Sequence, residues 1–365
     1  MRIVLKLGSS SLTDDQGTID VAAITKTSGE VAAARAAGHE VVLVSSGAVA
    51  AGLPALGIPA GDRPRDARTL QAVSAVGQAR LMQTWGRHLG DHDLVAGQVL
   101  LAPLDFMVRS QYLHARSTLE RLLELGVVPV VNENDATADD EIRFGDNDRI
   151  AALVAQLVGA ELLVLLTDTP GLMDADPRFS AEASLIEEIA EVDHELEALA
   201  GGAGTARGSG GMASKLAAAK MASWSGVRAV IAAAGRSGVL DDAIAGRSGV
   251  GTVVLPRARR LSARKLWIAF AVAAGGRVTV DDGARQALLT RGVSLLPAGC
   301  TAVEGAFGPD AAVEIAGPDG VVFAKGLVRV DAAGLRAVVG RRTGDLPEGI
   351  PHEVVHRDDL VIVPG

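Results

Sequence analysis

Across residues 1–255, short β-branched apolar runs alternate with longer helical patterns. Few folds can accommodate that alternation. Ile3–Leu7, Glu40–Ser45, Leu94–Leu101, Val127–Val131, Glu161–Leu166, Arg228–Ala233 and Gly251–Leu255 read as strands. Val21–Ala37, Ala67–Leu89, Tyr112–Leu125, Arg149–Val158 and Met212–Trp224 read as helices, with Gly38 and Gly126 placed to stop two of them. Strands that are apolar throughout must be buried on both faces. With helices between them, they predict a three-layer α/β sandwich around a mainly parallel sheet. Ligands in such sheets bind beyond the carboxyl ends of the strands. The segments KLGSS, SSGA, NENDA and TDTPG each follow a strand, so the pattern gathers them on one edge.

The character changes after residue 255. Arg257, Arg259, Arg260, Arg264 and Lys265 make a basic stretch that reads as a linker over 256–275. Short Val-rich runs follow, at Arg277–Val280, Val293–Leu295, Ala311–Ile315 and Val321–Ala324, and predict a small β-rich domain over 276–360. With 365 residues, a large domain plus a small one is the expected organisation. Aromatics are only 3%, so Ala, Val, Leu and Ile must build the core. The net charge of -9 disfavours wide, non-specific binding of nucleic acid. The single cysteine, Cys300, excludes an intramolecular disulfide and fits a reducing cytoplasm. The chain opens directly on RIVLKL, so no secretory leader is expected. The longest apolar stretch, Ile150–Leu166, is broken by Gln156, Gly159 and Glu161 and reads as a helix and a strand rather than a membrane span.

Two segments suit phosphate. Lys6 ends a strand and precedes Gly8, Ser9 and Ser10; Gly208, Ser209, Gly210 and Gly211 precede Lys215 at the start of an Ala-rich helix. Glycines let backbone N–H groups approach an anion, and each lysine adds a mobile positive charge. An isolated Lys-Leu-Gly is most simply a strand-end lysine reaching water, but the second loop argues for a shared anion. Ser46, Gly47 and Ala48 serve equally as a helix cap or as donors to an anionic substrate group. Asn132-Glu133-Asn134-Asp135 and Gly145-Asp146-Asn147-Asp148 hold more polar groups than a turn needs and suit an ammonium group. Thr167-Asp168 is either a turn into Pro170-Gly171 or an Asp that orients the lysines or contacts magnesium. His88 and His92 lack a third ligand and read as a surface pair.

Taken in order, KLGSS, SSGAVAAG, LQAVSAVGQ, NENDA, GDND, TDTPGLMDADPR and GSGGMASK resemble the glutamate 5-kinase family of the amino acid kinase superfamily. The resemblance is to its long form, whose C-terminal PUA domain is matched by VTVDDGARQALLTRGVSLLPAG and HRDDLV. It implies ATP-dependent phosphorylation of the γ-carboxylate of L-glutamate, with magnesium, as the committing step of proline biosynthesis. It further implies Lys6 and Lys215 on the transferring phosphoryl group and Asp168 organising them, with Thr167 beside the nucleotide. Ser209, Gly210, Gly211, Met212, Ala213, Ser214 and Lys215 would enclose the phosphates. Ser46, Gly47, Ala48, Asp135 and Asn147 would hold glutamate with Asp148 nearby. No metal ligand is assigned. Proline as feedback inhibitor and a homo-oligomer are expected, with no membrane partner; RNA binding by the PUA domain is not favoured. The chain departs from the family at TPGLM, where QKGLY is commoner, which bears on nucleotide preference.

Overall fold

The computed structural model describes residues 1–14, 17–102, 105–106, 108–137, 147–175, 182–201, 211–258, 260–347 and 349–363. The chain divides into two compact units, Met1–Leu261 and Ser262–Gly365.

At the centre of the first unit is β1 (Arg2–Leu7), whose Ile3, Val4, Leu5 and Leu7 are at most 1% exposed. Burial on both faces is why this strand is apolar at consecutive positions. It pairs in parallel with β2 (Glu40–Ser45) on one side and β5 (Leu162–Thr167) on the other. Among the described residues the sheet is completed by β3 (Ala96–Leu101), β4 (Val128–Glu133), β6 (Glu188–Ile189), β7 (Arg228–Ala233) and β8 (Thr252–Val254), in the order β3-β4-β2-β1-β5-β7-β8-β6. All pairings are parallel except β7 with β8. The chain winds outward from β1 in both directions, which makes the carboxyl end of β1 a switch point of the topology.

Helices cover both faces. On one face α2 (Val21–Ala36), α4 (Ala67–Gly90) and α9 (Val239–Ala245) bury Ile24, Val31, Leu81, Trp85 and Val239 against Ile3, Leu5, Leu7 and Leu43. On the other, α6 (Asn147–Leu157) lies over β1, β2, β4 and β5 and packs against α8 (Met212–Trp224). Because strand side chains alternate, Val4 and Lys6 belong to this second face. Further helices among the described residues are α1 (Ser9–Leu12), α3 (Ala48–Ala55), α5 (Arg109–Glu124) and α7 (His194–Ala200). The pair α3 and α4 meets closely: a Cβ at Gly52 would overlap the Val73 carbonyl, and one at Gly77 would overlap that of Ala48.

The first unit extends past its last strand. The Arg257 guanidinium lies 4.2 Å from the Trp224 ring centroid, the Arg257 N–H donates to Ser223 O at 2.9 Å, and Leu261 N–H donates to Trp224 O at 2.9 Å. Arg257 and Leu261, in the stretch expected as linker, are therefore fastened to α8.

In the second unit, α10 (Ala263–Leu266) precedes a five-stranded sheet in the order β10-β9-β11-β12-β13. The strands are β9 (Gly276–Val280), β10 (Cys300–Gly305), β11 (Ala312–Ala316), β12 (Val322–Val328) and β13 (Val355–Ile362). Val278, Val280, Val313, Ile315, Phe323 and Val355 fill its core. Two helices, α11 (Asp282–Arg291) and α12 (Ala332–Val338), lie between strands, and each is capped by an aspartate, Asp281 and Asp331. Val293–Leu295, expected as a strand, contributes only a single bridge, Leu295 to Val355. Gly292 ends α11 in the left-handed conformation, so the chain is still turning there.

Candidate active site

Lys6 is the penultimate residue of β1, Asp148 sits in the first turn of α6, and Lys215 sits in the first turn of α8. The packing of α6 across β1 and against α8 brings these three distant positions together. The Asp148 carboxylate is fully buried; its Oδ1 meets Lys6 Nζ, and its Oδ2 accepts from Lys215 Nζ at 3.2 Å. Burial alone would raise the Asp148 pKa, but the charges and hydrogen bonds of Lys6 and Lys215 outweigh it and hold the carboxyl below its ordinary value. The trio itself, two ammonium groups and one carboxylate, carries one formal positive charge. Two further features suit an anion there. A Cβ at Gly8 would stand 3.3 Å from Lys6 Nζ, so the glycine keeps the space beside the ammonium open. At the other side Gly211 caps α8 without a side-chain hydrogen bond, and Ser214 N–H donates to Gly211 O at 3.1 Å, so the N–H groups of Met212 and Ala213 are the first-turn donors turned to other acceptors.

A second polar cluster adjoins the first, because Asn147 and Asp148 are consecutive. Asn147 Nδ2 donates to Ser46 Oγ and to Asn132 Oδ1, both at 3.0 Å, and Asn147 Oδ1 accepts from the Glu133 backbone N–H at 3.2 Å. Asp135 lies two residues beyond β4, where Ser74 Oγ of α4 donates to its Oδ2 at 2.8 Å. Ser46 is positioned by the strand ends: its N–H donates to Leu7 O at 3.1 Å, and the neighbouring Ser45 Oγ accepts from the buried Trp85 indole at 2.9 Å. Gly47 then turns the chain into α3 at φ +104, a conformation that disfavours side chains, and Ala48 begins that helix.

The carboxylate between the two lysines is that of Asp148. Asp168 ends up elsewhere: it follows β5, its side chain is exposed, and its Oδ1 accepts from Thr167 Oγ1 at 3.0 Å. The helix that crosses the face carrying Lys6 is α6, so its first turn supplies the partner. Ser209 and Gly210 lie outside the described residues, as do Gly208, Gly145, Asp146 and residues 176–178. His88 Nδ1 contacts Thr25 Oγ1 at 3.2 Å and Asp91 at 3.5 Å, a local surface arrangement. Residue-by-residue reading did not single out Ser74, Gln78 or Trp85 of α4. The segment LQAVSAVGQ, which holds the first two, was the available signal.

Among the described residues no group of three or more His, Cys, Asp or Glu side chains is placed to hold a metal ion, and no helix is long and apolar enough to cross a membrane.

The amino acid kinase family matches residues 1–233, and the PUA domain matches residues 276–350. The chain is 47% identical to glutamate 5-kinase of Herpetosiphon aurantiacus, over 99% of this chain and 98% of that protein. It is 42% identical to glutamate 5-kinase of Pelobacter propionicus, over 99% and 97%. Among solved structures, carbamate kinase from Giardia lamblia bound to AMP-PNP aligns with a TM-score of 0.50 at 18% identity, covering 70% of this chain and 98% of that one. That likeness concerns the fold.

Proposed function

The chain belongs to the amino acid kinase family, and from that premise we propose that it transfers the γ-phosphoryl group of ATP to the γ-carboxylate of L-glutamate. The products are glutamyl 5-phosphate and ADP, and the reaction opens proline biosynthesis. The observation that carries the reading is the junction at Asn147-Asp148, where a net-cationic buried trio meets a cluster of amides and hydroxyls. Its glutamate 5-kinase relatives match this chain along nearly its whole length.

The chemistry needs little from the protein beyond placement and charge. A carboxylate is already ionised at neutral pH, so no general base is required. One oxygen of the γ-carboxylate forms a bond to the γ-phosphorus while the bond to the β–γ bridging oxygen breaks, and ADP leaves with that electron pair. Both reactants are anions, so the obstacle is repulsion, and it falls to positioned cations to remove it. In this reading Lys6 and Lys215 lie on opposite sides of the transferring group, while Asp148 keeps both ammonium groups aimed at one point. Ser46, Asn147 and Asp135 hold glutamate, with Asp135 suited to its ammonium group. The α8 N-terminus receives the phosphates, and Thr167 and Asp168 border the nucleotide.

Magnesium fits as a companion of the nucleotide rather than a resident ion. Mg2+ is typically held by one or two carboxylates plus substrate phosphates, and the exposed Asp168 is one such carboxylate at the edge of the site. When bound, the ion would neutralise phosphate charge. The same reading carries feedback inhibition by proline, a homo-oligomeric assembly and a cytoplasmic location. RNA binding lies outside it, as the net charge of -9 gives no broad basic surface.

The test is acyl-phosphate formation, trapped as the hydroxamate with hydroxylamine, in the presence of ATP, magnesium and glutamate. Stoichiometric ADP and glutamyl hydroxamate are expected. Hydroxamate formed from acetylglutamate or aspartate but not from glutamate would reassign the substrate.

A further inference from the structure

The segment LQAVSAVGQ has no role in the chemistry above, yet it supplies two contacts to the substrate side. Ser74 and Gln78 are four residues apart on α4 and so share one face. Ser74 holds Asp135, and Gln78 Oε1 accepts from Asn132 Nδ2 at 2.8 Å. The close contact at Gly52 and Gly77 seats α4 against α3, the helix that begins just after Ser46. One helix thus braces both substrate loops.

The hydrogen bonds in this cluster run one way. The Glu133 backbone N–H can only donate. It reaches Asn132 Oδ1 at 2.9 Å and Asn147 Oδ1 at 3.2 Å, which fixes the oxygen end of both amides. Asn132 Oδ1 also takes a hydrogen from Asn147 Nδ2. The Asn132 amide nitrogen must therefore donate, and the acceptor it meets is Gln78. The second hydrogen of Asn147 goes to Ser46 Oγ. The Ser46 hydroxyl, which accepts this bond, keeps its own hydrogen for an acceptor beyond the network. Gln78 is 8% exposed, and its Nε2 has no hydrogen-bond partner among the described residues. A buried amide donor without a partner is destabilising. A residue present only for packing would avoid that cost. The amide is accounted for by the acceptor it supplies at Oε1.

We propose that Gln78 is a positioning and specificity-determining residue: the Glu133 N–H sets the direction of the relay, and Gln78, by accepting from Asn132, holds the Asn132 amide in place so that Ser46 stays a hydrogen-bond donor and this pocket takes a carboxylate oxygen there. The proposal rests on the glutamate-kinase reading. It adds that the pocket selects for an acceptor through a residue that does not touch the substrate.

The experiment compares wild type, Gln78→Met and Gln78→Glu as full-length proteins by steady-state kinetics and thermal melting. Gln78→Met keeps an unbranched side chain but removes the acceptor. It is expected to raise the KM for glutamate about tenfold, as for losing the partner of one buried polar group, with the KM for ATP within about twofold. Gln78→Glu keeps acceptor oxygens and is expected to bring the glutamate KM back to within about threefold of wild type. A folded Gln78→Met with unchanged glutamate KM would overturn the proposal, and so would equal losses for ATP and glutamate, the mark of a purely structural role. If Gln78→Met does not fold, Gln78→Glu decides alone: a folded protein with glutamate KM raised tenfold refutes the relay. Wild type giving no hydroxamate from glutamate would instead defeat the activity reading, so the two failures are distinguishable.

Discussion

Replacing Asp148 by Asn removes the one negative charge between two buried ammonium groups while keeping the shape of the side chain. At the 3.2 Å separation of Lys215 Nζ and Asp148 Oδ2, and with an effective dielectric of about 20, the attraction lost is about 5 kcal/mol. The contact with Lys6 is at least as close. Desolvation of the carboxylate offsets part of this, because Asp148 is fully buried in the folded state. Removing one partner of a buried ionic group leaves a net cost of about 3–5 kcal/mol. Each kcal/mol shifts Tm by about 2–4 °C in a domain of this size, so the variant should melt about 6–20 °C lower. ATP should recover much of that deficit, since its phosphates supply the missing negative charge. The KM for ATP should not rise, whereas kcat should fall by about 10²–10³ because the ammonium groups are no longer held in place. Calorimetry with and without ATP, together with steady-state kinetics, reads all three effects. A variant with wild-type Tm and kcat within threefold would refute the argument that Asp148 holds the two lysines together.

Four further outcomes follow from the same geometry. Lys215→Ala should lower kcat by about 10²–10³ with little change in glutamate KM, because its charge acts on the transferring group; a raised KM at normal kcat would contradict that role. Asn147→Ala should raise glutamate KM and leave affinity for a non-hydrolysable ATP analogue near wild type by isothermal titration; the reverse pattern would mean the two pockets are exchanged. For pH, the Asp148 carboxyl is depressed below its ordinary 3.8, so its stabilisation is complete above that value and is lost as pH falls through the folded pKa. The stability gap between wild type and Asp148→Asn, measured by urea titration, should therefore be flat at neutral pH and narrow below 3.8. A chain ended after Leu261 should fold and keep glutamate-dependent activity, whereas one ended after Leu255 loses the Arg257–Trp224 stacking and should be less stable by about 0.5–2 kcal/mol; equal Tm values would mean residues 256–261 add nothing.

What the amino-acid pattern revealed, and what it hid, has a physical logic. Strands such as Leu162–Thr167, buried at every position, announce themselves as apolar runs, and the motifs following them had to share a sheet edge. Lys6 and Lys215 carried a local signal because glycines stand beside them. The partner of those lysines did not, since Asp148 meets them only through the packing of α6 on β1 and α8. In the chain nothing set it above Asp168, which directly follows a buried strand whereas Asp148 opens a helix. Gln78 was hidden for a related reason: a single amide within a helix has no local signature, and its meaning comes from Asn132 on a separate strand. In the second unit, β13 was obscured by charged residues, with Arg357, Asp358 and Asp359 in the middle of a strand that buries only Val355, Leu360 and Val361. The helix α11 buries only Leu288 among its ten residues, so it lacked a strong apolar stripe.

The central claim is that a glutamate carboxylate oxygen attacks the γ-phosphorus of ATP in this site. Glutamate labelled with 18O in its γ-carboxylate tests it directly, with ATP, magnesium and hydroxylamine present and the released inorganic phosphate analysed by mass spectrometry. Hydroxylamine attacks the acyl carbon, so the oxygen that joined phosphorus stays with phosphate. The account predicts phosphate carrying one 18O for each ADP formed. Unlabelled phosphate accompanying ADP would show that water, not glutamate, receives the phosphoryl group, and would contradict the account.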